Sequence, residues 1–120
     1  MEKLIIIDSC MREESRTRVI LEAAKEVLSA RYDIETIDVN AIGLPPVTPE
    51  TLKERTLGRV PEEALSIAGR LASADRIVIA APFWDMSFPA ILKAFFENMS
   101  LYNVTFTDDG TTCTGICRCS

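Results

Sequence analysis

The spacing of apolar positions along the chain alternates between two periods. "KLIIID" (Lys3 to Asp8) is a continuous apolar run with polar ends, the pattern of a strand buried on both faces. "SCMREES" follows as a loop. From Ser15 to Ala30, "SRTRVILEAAKEVLSA" sets Val19, Ile20, Ala23, Val27 and Leu28 at helical spacing, which predicts a helix with one buried stripe. "DIETIDV" (Asp33 to Val39) alternates through Ile34, Thr36 or Ile37, and Val39, and reads as a second strand.

The next stretch, "NAIGLPPVTPETLKERTLGRV", is an irregular Pro-rich excursion with room for a short helix after Thr48-Pro49. Pro61 suits the first turn of a further helix, with Glu62 and Glu63 near its positive end. Leu65, Ala68, Leu71 and Ala72 supply the buried side of that helix. "DRIVIAAP" is a third strand, ended by Pro82. Ser87 as cap and Pro89 in the first turn open a last helix, whose stripe is Ile91, Leu92, Phe95, Phe96 and Met99. Strands alternating with helices at this spacing imply right-handed crossovers and a parallel sheet covered on both faces.

Composition narrows the function classes. A chain of 120 residues, 48% apolar, is expected to be one domain (residues 1–120) with a packed core. A net charge of -5 argues against nucleic acid and anionic membrane surfaces, both of which call for a basic face. No apolar run approaches the roughly 18–20 residues of a membrane span, and "MEKLIIID" is too short and acidic for a signal peptide. The expectation is a cytoplasmic protein. The absence of histidine excludes Ser-His-Asp and Cys-His catalysis and HExxH zinc sites. Cys113, Cys117 and Cys119 crowd "CTGICRCS" in a C-x3-C-x-C spacing that matches no standard structural zinc site. They read as reduced thiols, as Cys10 does; a metal or iron–sulfur site and a disulfide are the alternatives.

Two loops fall beyond the carboxyl ends of the strands, where parallel sheets bind ligands. The first, "SCMREESRT", opens a helix, so free N–H groups and the positive helix end face it. No glycine precedes Gly43, which excludes G-x-G-x-x-G and the P-loop here. What remains is the hydroxyls of Ser9, Ser15 and Thr17 with Arg16 and Arg18 beside them, a donor set suited to one compact phosphate monoester. The opposing reading is a plain helix cap with solvated arginines, and Glu13 and Glu14 favour it by repelling a dianion. The second loop, "PFWDMSFP", carries Phe83, the only tryptophan (Trp84), Met86 and Phe88, where a connection is ordinarily polar. A phosphate at one loop and aromatic and sulfur side chains at the other suit FMN, with Phe83, Trp84 and Met86 flanking the ring. The opposing reading is a hydrophobic dimer interface.

In "RIVIAAPFWDMSFPAILKAFFENM", with "VTFTDDG" after it and "IIIDSCMREESRTR" before, the chain resembles the flavodoxin-like NAD(P)H:quinone oxidoreductases and FMN-dependent azoreductases. The resemblance implies an α/β fold, a flavodoxin-like three-layer sandwich with a parallel sheet. It implies FMN held at Ser9, Ser15, Arg16 and Thr17 and at Pro82, Phe83, Trp84, Asp85 and Met86. NAD(P)H would reduce the flavin and leave, and a quinone or azo acceptor would then take two electrons in the same cavity, with no side chain needed as acid or base. It also implies a homodimer with the Pro-rich excursion walling the cavity. The family's fourth strand, the Gly-rich loop after it, and its last strand and helix have no counterpart up to Ser120. The expectation is an N-terminal part of a longer protein, or a sheet completed by dimerisation or strand exchange. The alternatives in function are an electron-carrier flavodoxin, an iron–sulfur flavoprotein using the terminal cysteines, and a non-catalytic dimerisation or interaction module that has lost flavin.

Overall fold

The computed structural model describes residues 1–119. In chain order the elements are β1 (Glu2–Asp8), α1 (Arg16–Leu28), β2 (Tyr32–Asp38), α2 (Val39–Ile42), α3 (Pro49–Thr56), α4 (Glu62–Ser73), β3 (Arg76–Ala80), α5 (Ala90–Met99), β4 (Phe106–Asp108) and β5 (Cys113–Gly115). β1, β2 and β3 form a parallel sheet of order β2-β1-β3. β1 is hydrogen-bonded on both sides and covered on both faces, which is why Ile5, Ile6 and Ile7 run consecutively and are all buried.

The sheet register sorts the side chains into two layers. Ile5, Ile7 and Ile37 face α4 and α5, meeting Ala64, Ile67, Ala68 and Leu71 from one helix and Leu92, Phe95 and Met99 from the other. Leu4, Ile6 and Ala80 face α1, which contributes Leu21, with Leu28, Ile34 and Val78 half-buried around them. Full burial of one such side chain is worth about 1.5–3 kcal/mol, so the larger α4–α5 layer carries most of the stabilisation.

α1 differs from the expected stripe. Leu21 is its one fully buried residue, while Val19, Ile20 and Val27 are 70–71% exposed. The helix is apolar on two sides, and a three-stranded sheet is wide enough to cover only one of them. Leu65 of α4, expected inside, is likewise exposed. Ser87 does not cap α5. The cap position is Pro89, without a side-chain bond, because Ser87 is held in a tight turn with Trp84. The strand pair β4–β5 is an antiparallel hairpin, Phe106 opposite Gly115 and Asp108 opposite Cys113. No strand was expected in that Cys-rich tail, although Asp-Asp-Gly is a hairpin cue.

The two edges of the sheet are finished differently. On β2, Lys3 pairs with Asp33 and Glu35, and Arg70 of α4 reaches Glu35 at 2.8 Å, so charge guards that side. Along β3, Ile79 is 48% exposed. Asp75, just before β3, accepts from the Lys3 N–H at 2.8 Å and pairs with Arg118 at 2.8 Å, which brings the end of the chain back to the sheet.

Candidate functional site

In the order β2-β1-β3 the direction of chain progression reverses at β1, so the crevice beyond the ends of β1 and β3 is the switch point of the sheet. The loops Ser9–Ser15 and Ala81–Pro89 leave those two strands side by side. The Ser9 N–H donates to the Ala80 carbonyl at 3.0 Å, and the Ser9 hydroxyl donates to the same oxygen at 2.8 Å. The two loops are therefore tied together at their roots.

Between them lies a cavity of about 520 Å³ lined by Met11, Arg12, Glu14, Ser15, Arg16, Thr17, Pro82, Phe83 and Trp84. Its size falls within the roughly 300–1,000 Å³ of ordinary ligand pockets. Six of the nine residues predicted from sequence meet here: Ser15, Arg16, Thr17, Pro82, Phe83 and Trp84. Ser9 lies beneath, wholly buried, its hydroxyl committed to Ala80. Asp85 and Met86 sit outside the lining, at the tip of the second loop.

Ser15 caps α1, its Oγ accepting from the Arg18 N–H at 3.2 Å. The same hydroxyl lies against the Cys10 thiol. The first-turn N–H groups of Arg16 and Thr17 have no carbonyl one turn back to bond, and both residues line the cavity. Arg16 is exposed, and its guanidinium is free to approach an anion. Arg12 stands 5.9 Å over the Trp84 ring, a cation–π contact that joins the two loops across the cavity mouth. Arg12 and Arg16 outweigh Glu14 among the charged lining residues, so the anion-binding sign prevails.

The second loop turns on Asp85 and Met86, with φ of 47° and 67°. The Trp84 N–H donates to the Ser87 carbonyl at 2.6 Å and Ser87 returns the bond at 2.9 Å. Two consecutive positive φ values inside such a pair make a two-residue hairpin turn usually built from Asn-Gly. A non-glycine residue there costs of order 1–3 kcal/mol, and such strain concentrates at ligand sites. The turn leaves Phe83 75% and Met86 84% exposed.

Met11 and Arg12 were not singled out from sequence, and neither was Asp8, whereas Glu14 was read there as a charge opposing a dianion and does line the cavity. Asp8 had a legible signal, a carboxylate closing a strand buried on both faces. Arg12 had none, because its partner Trp84 is distant in sequence. Cys10 is buried, and desolvation pushes its thiol above the ordinary 9.0, with Asp8 adding to the rise. Among the described residues no group of three or more His, Cys, Asp or Glu is placed to hold a metal. No helix there is long and apolar enough to cross a membrane.

A doubly wound α/β fold with a cleft of this donor set at the switch point defines a class. A sequence model described as flavodoxin-like fold matches residues 1–116, and the chain belongs to that family. The FMN-dependent NADH:quinone oxidoreductase 2 of Clostridium acetobutylicum is 37% identical over 95 residues, covering 72% of this chain and 44% of its own length. The FMN-dependent NADH:quinone oxidoreductase of Caldicellulosiruptor bescii is 30% identical over 115 residues, 88% of this chain and 57% of its own. The chain spans about half the length of these curated relatives. Among solved structures, the NAD(P)H:quinone oxidoreductase from Methanothermobacter marburgensis superposes with a TM-score of 0.80 at 23% identity, covering 97% of this chain and 61% of that one. An FMN-dependent NADH-azoreductase from Bacillus anthracis, in complex with FMN, gives 0.71 at 23% identity over 96% and 63%. These superpositions establish the fold: a flavodoxin-like sandwich represented here by its first three parallel strands.

Proposed function

We propose that this chain carries the FMN phosphate and ring loops of an FMN-dependent NAD(P)H oxidoreductase whose acceptor is a quinone or azo compound. The observation that carries the reading is the single cavity in which Ser15, Arg16 and Thr17 meet Pro82, Phe83 and Trp84. The relatives named FMN-dependent NADH:quinone oxidoreductases support it.

The residues fit the group. Ser15 and Thr17 offer hydroxyls, the start of α1 offers N–H donors, and Arg16 offers a charged donor for a phosphate monoester. Trp84 and Phe83 offer apolar faces for a flat ring, and Asp85 and Met86 extend that wall from the strained turn. Bound FMN would supply the hydride chemistry, taking two electrons from NAD(P)H and passing them to the acceptor. The chain's own part is to anchor, orient and shield. Its exposed Phe83, Met86 and Phe88 suit the face of a second copy closing over the cavity, so the reading includes a homodimer. Free thiols at all four cysteines suit a reducing, cytoplasmic setting.

One observation favours a different reading. Glu14 lines the cavity and opposes a dianion, as expected of an interaction module that has lost flavin. Titration of flavin-stripped protein with FMN and with riboflavin, following Trp84 fluorescence, separates the two. Quenching by FMN with at least roughly tenfold weaker riboflavin binding, as loss of phosphate contacts requires, supports the oxidoreductase reading. No quenching by either flavin refutes it in favour of the module. NADH oxidation with a quinone, followed by sedimentation, then tests activity and dimerisation.

A further inference from the structure

We propose that Arg18 and Asp8 are positioning residues, an ion pair that holds the loop Ser9–Ser15 in its anion-binding shape without touching the anion. The proposal rests on the reading of the cavity as a phosphate site. Arg18 is the one arginine of its segment that does not line the cavity, whereas Arg12 and Arg16 do. Its guanidinium turns inward instead. One terminal nitrogen donates to the Arg12 carbonyl at 3.0 Å, the other to the Cys10 carbonyl at 2.9 Å, and Nε lies 3.6 Å from Asp8 Oδ2.

Asp8 completes the frame from below. It is 8% exposed, and its Oδ1 accepts from the Cys10 N–H at 2.9 Å. Asn40, at the start of α2, donates to the Cys10 carbonyl at 3.2 Å. Cys10 is thus held at both its amide and its carbonyl, and Arg12 at its carbonyl. In a trans peptide the C=O and the following N–H point in opposite directions. Drawing the carbonyls of residues 10 and 12 toward Arg18 therefore turns the N–H groups of Met11 and Glu13 away from it. A planar guanidinium fork reaches two carbonyls and a carboxylate at once, which an ammonium cannot do.

Charge alone and loop shape predict opposite signs. Asp8→Asn removes a negative charge beneath an anion site, so simple electrostatics requires FMN to bind more tightly. The positioning role requires weaker binding, since the neutral amide no longer holds Arg18. The experiment compares wild type, Asp8→Asn and Arg18→Lys by FMN and riboflavin titration, and by amide hydrogen exchange without flavin. Far-UV circular dichroism checks that each is folded. The expected result is FMN affinity down at least about tenfold in both variants, as for loss of a charged hydrogen bond. Riboflavin affinity stays within about threefold, and amides of residues 10–15 exchange faster while those of β1 keep wild-type rates. Tighter or unchanged FMN binding in Asp8→Asn, or wild-type affinity in Arg18→Lys, overturns the proposal. If wild type binds no flavin, the cofactor reading fails by itself. The exchange data then decide: faster exchange confined to residues 10–15 sustains the clamp, and unchanged or globally raised exchange overturns it.

Discussion

Ser9 and Ser15 provide a matched pair of perturbations, because each substitution by alanine removes one buried hydroxyl at opposite ends of the same loop. The Ser9 hydroxyl points at the Ala80 carbonyl, 2.8 Å away, and not into the cavity. That carbonyl keeps a second donor, the Ser9 N–H at 3.0 Å, so Ser9→Ala orphans nothing. Its cost is the net worth of one hydrogen bond, about 0.5–1.5 kcal/mol. For 120 residues the unfolding entropy near the midpoint is about 0.25 kcal/mol/K, so about 1 kcal/mol lowers Tm by about 4 °C. FMN affinity should hold within about twofold, less than half a kcal/mol. Ser15→Ala removes the cap of α1, which costs about 1 kcal/mol and a similar shift in Tm. On the proposed reading of the cavity it also removes a donor to the phosphate. A hydrogen bond to a charged group is worth about 1.5–3 kcal/mol, a loss of at least about tenfold in FMN affinity with riboflavin spared. Urea or thermal unfolding without flavin, and fluorescence titration with both flavins, give the two quantities separately. Equal losses of FMN affinity in the two variants would refute the reasoning, because it assigns the hydroxyls to different partners.

Three further outcomes follow from local geometry. Met86→Gly should raise Tm, because glycine accepts a φ of 67° without the αL penalty of about 1–2 kcal/mol, against an entropy cost of about 0.5–1 kcal/mol; a lower Tm contradicts the strain. Iodoacetamide at mildly alkaline pH should modify exposed Cys113 well before Cys10. Because burial raises the Cys10 thiol above 9.0, its native-state labelling should still be accelerating there, and a plateau below that pH rules the shift out. The linked stability has the same sign: the neutral buried thiol is accommodated below the unfolded value of 9.0, and this contribution is lost as pH rises through the raised folded value. In the β4–β5 turn, the N–H groups of Thr112 and Thr111 donate to Asp109 at 2.7 and 2.9 Å and hold its carboxyl below 3.8. That contribution is present above the ordinary value and lost as pH falls through the lowered one. The Thr111 and Thr112 amide resonances should therefore titrate with a midpoint below 3.8; a midpoint at or above it contradicts these two hydrogen bonds.

Which parts were legible depends on the range of the interaction that decides them. Periodicity located β1, β2, β3 and the two long helices of the larger layer, because each buries a face whose spacing is written locally. Pro82, Phe83 and Trp84 stood out because aromatic residues in a connection need a partner. Ser15 with Arg16 and Thr17 stood out because capping chemistry is local as well. The stripe of α1 was misjudged for the complementary reason. Val19, Ile20 and Val27 have the right spacing, but which of the two apolar sides of the helix is covered depends on the width of the sheet beneath it. Ser87 has the chemistry of a cap, and the turn with Trp84 claimed its backbone first.

By itself the chain determined its alternation of strand and helix, its parallel sheet, and the two loops that line the cavity. These follow from short-range pattern and from chirality, which leaves one handedness of crossover. Only the tertiary structure decided how the hydroxyls are shared out, with Ser9 to the sheet and Ser15 to the cavity. It alone sorted the arginines, placing Arg12 over Trp84, leaving Arg16 free and turning Arg18 inward to Asp8. Side chains of one type, a few residues apart, are equivalent in sequence. They become different when the fold brings a carbonyl, a ring or a carboxylate within hydrogen-bonding or stacking distance of each, and those partners arrive from strands, turns and helices far along the chain.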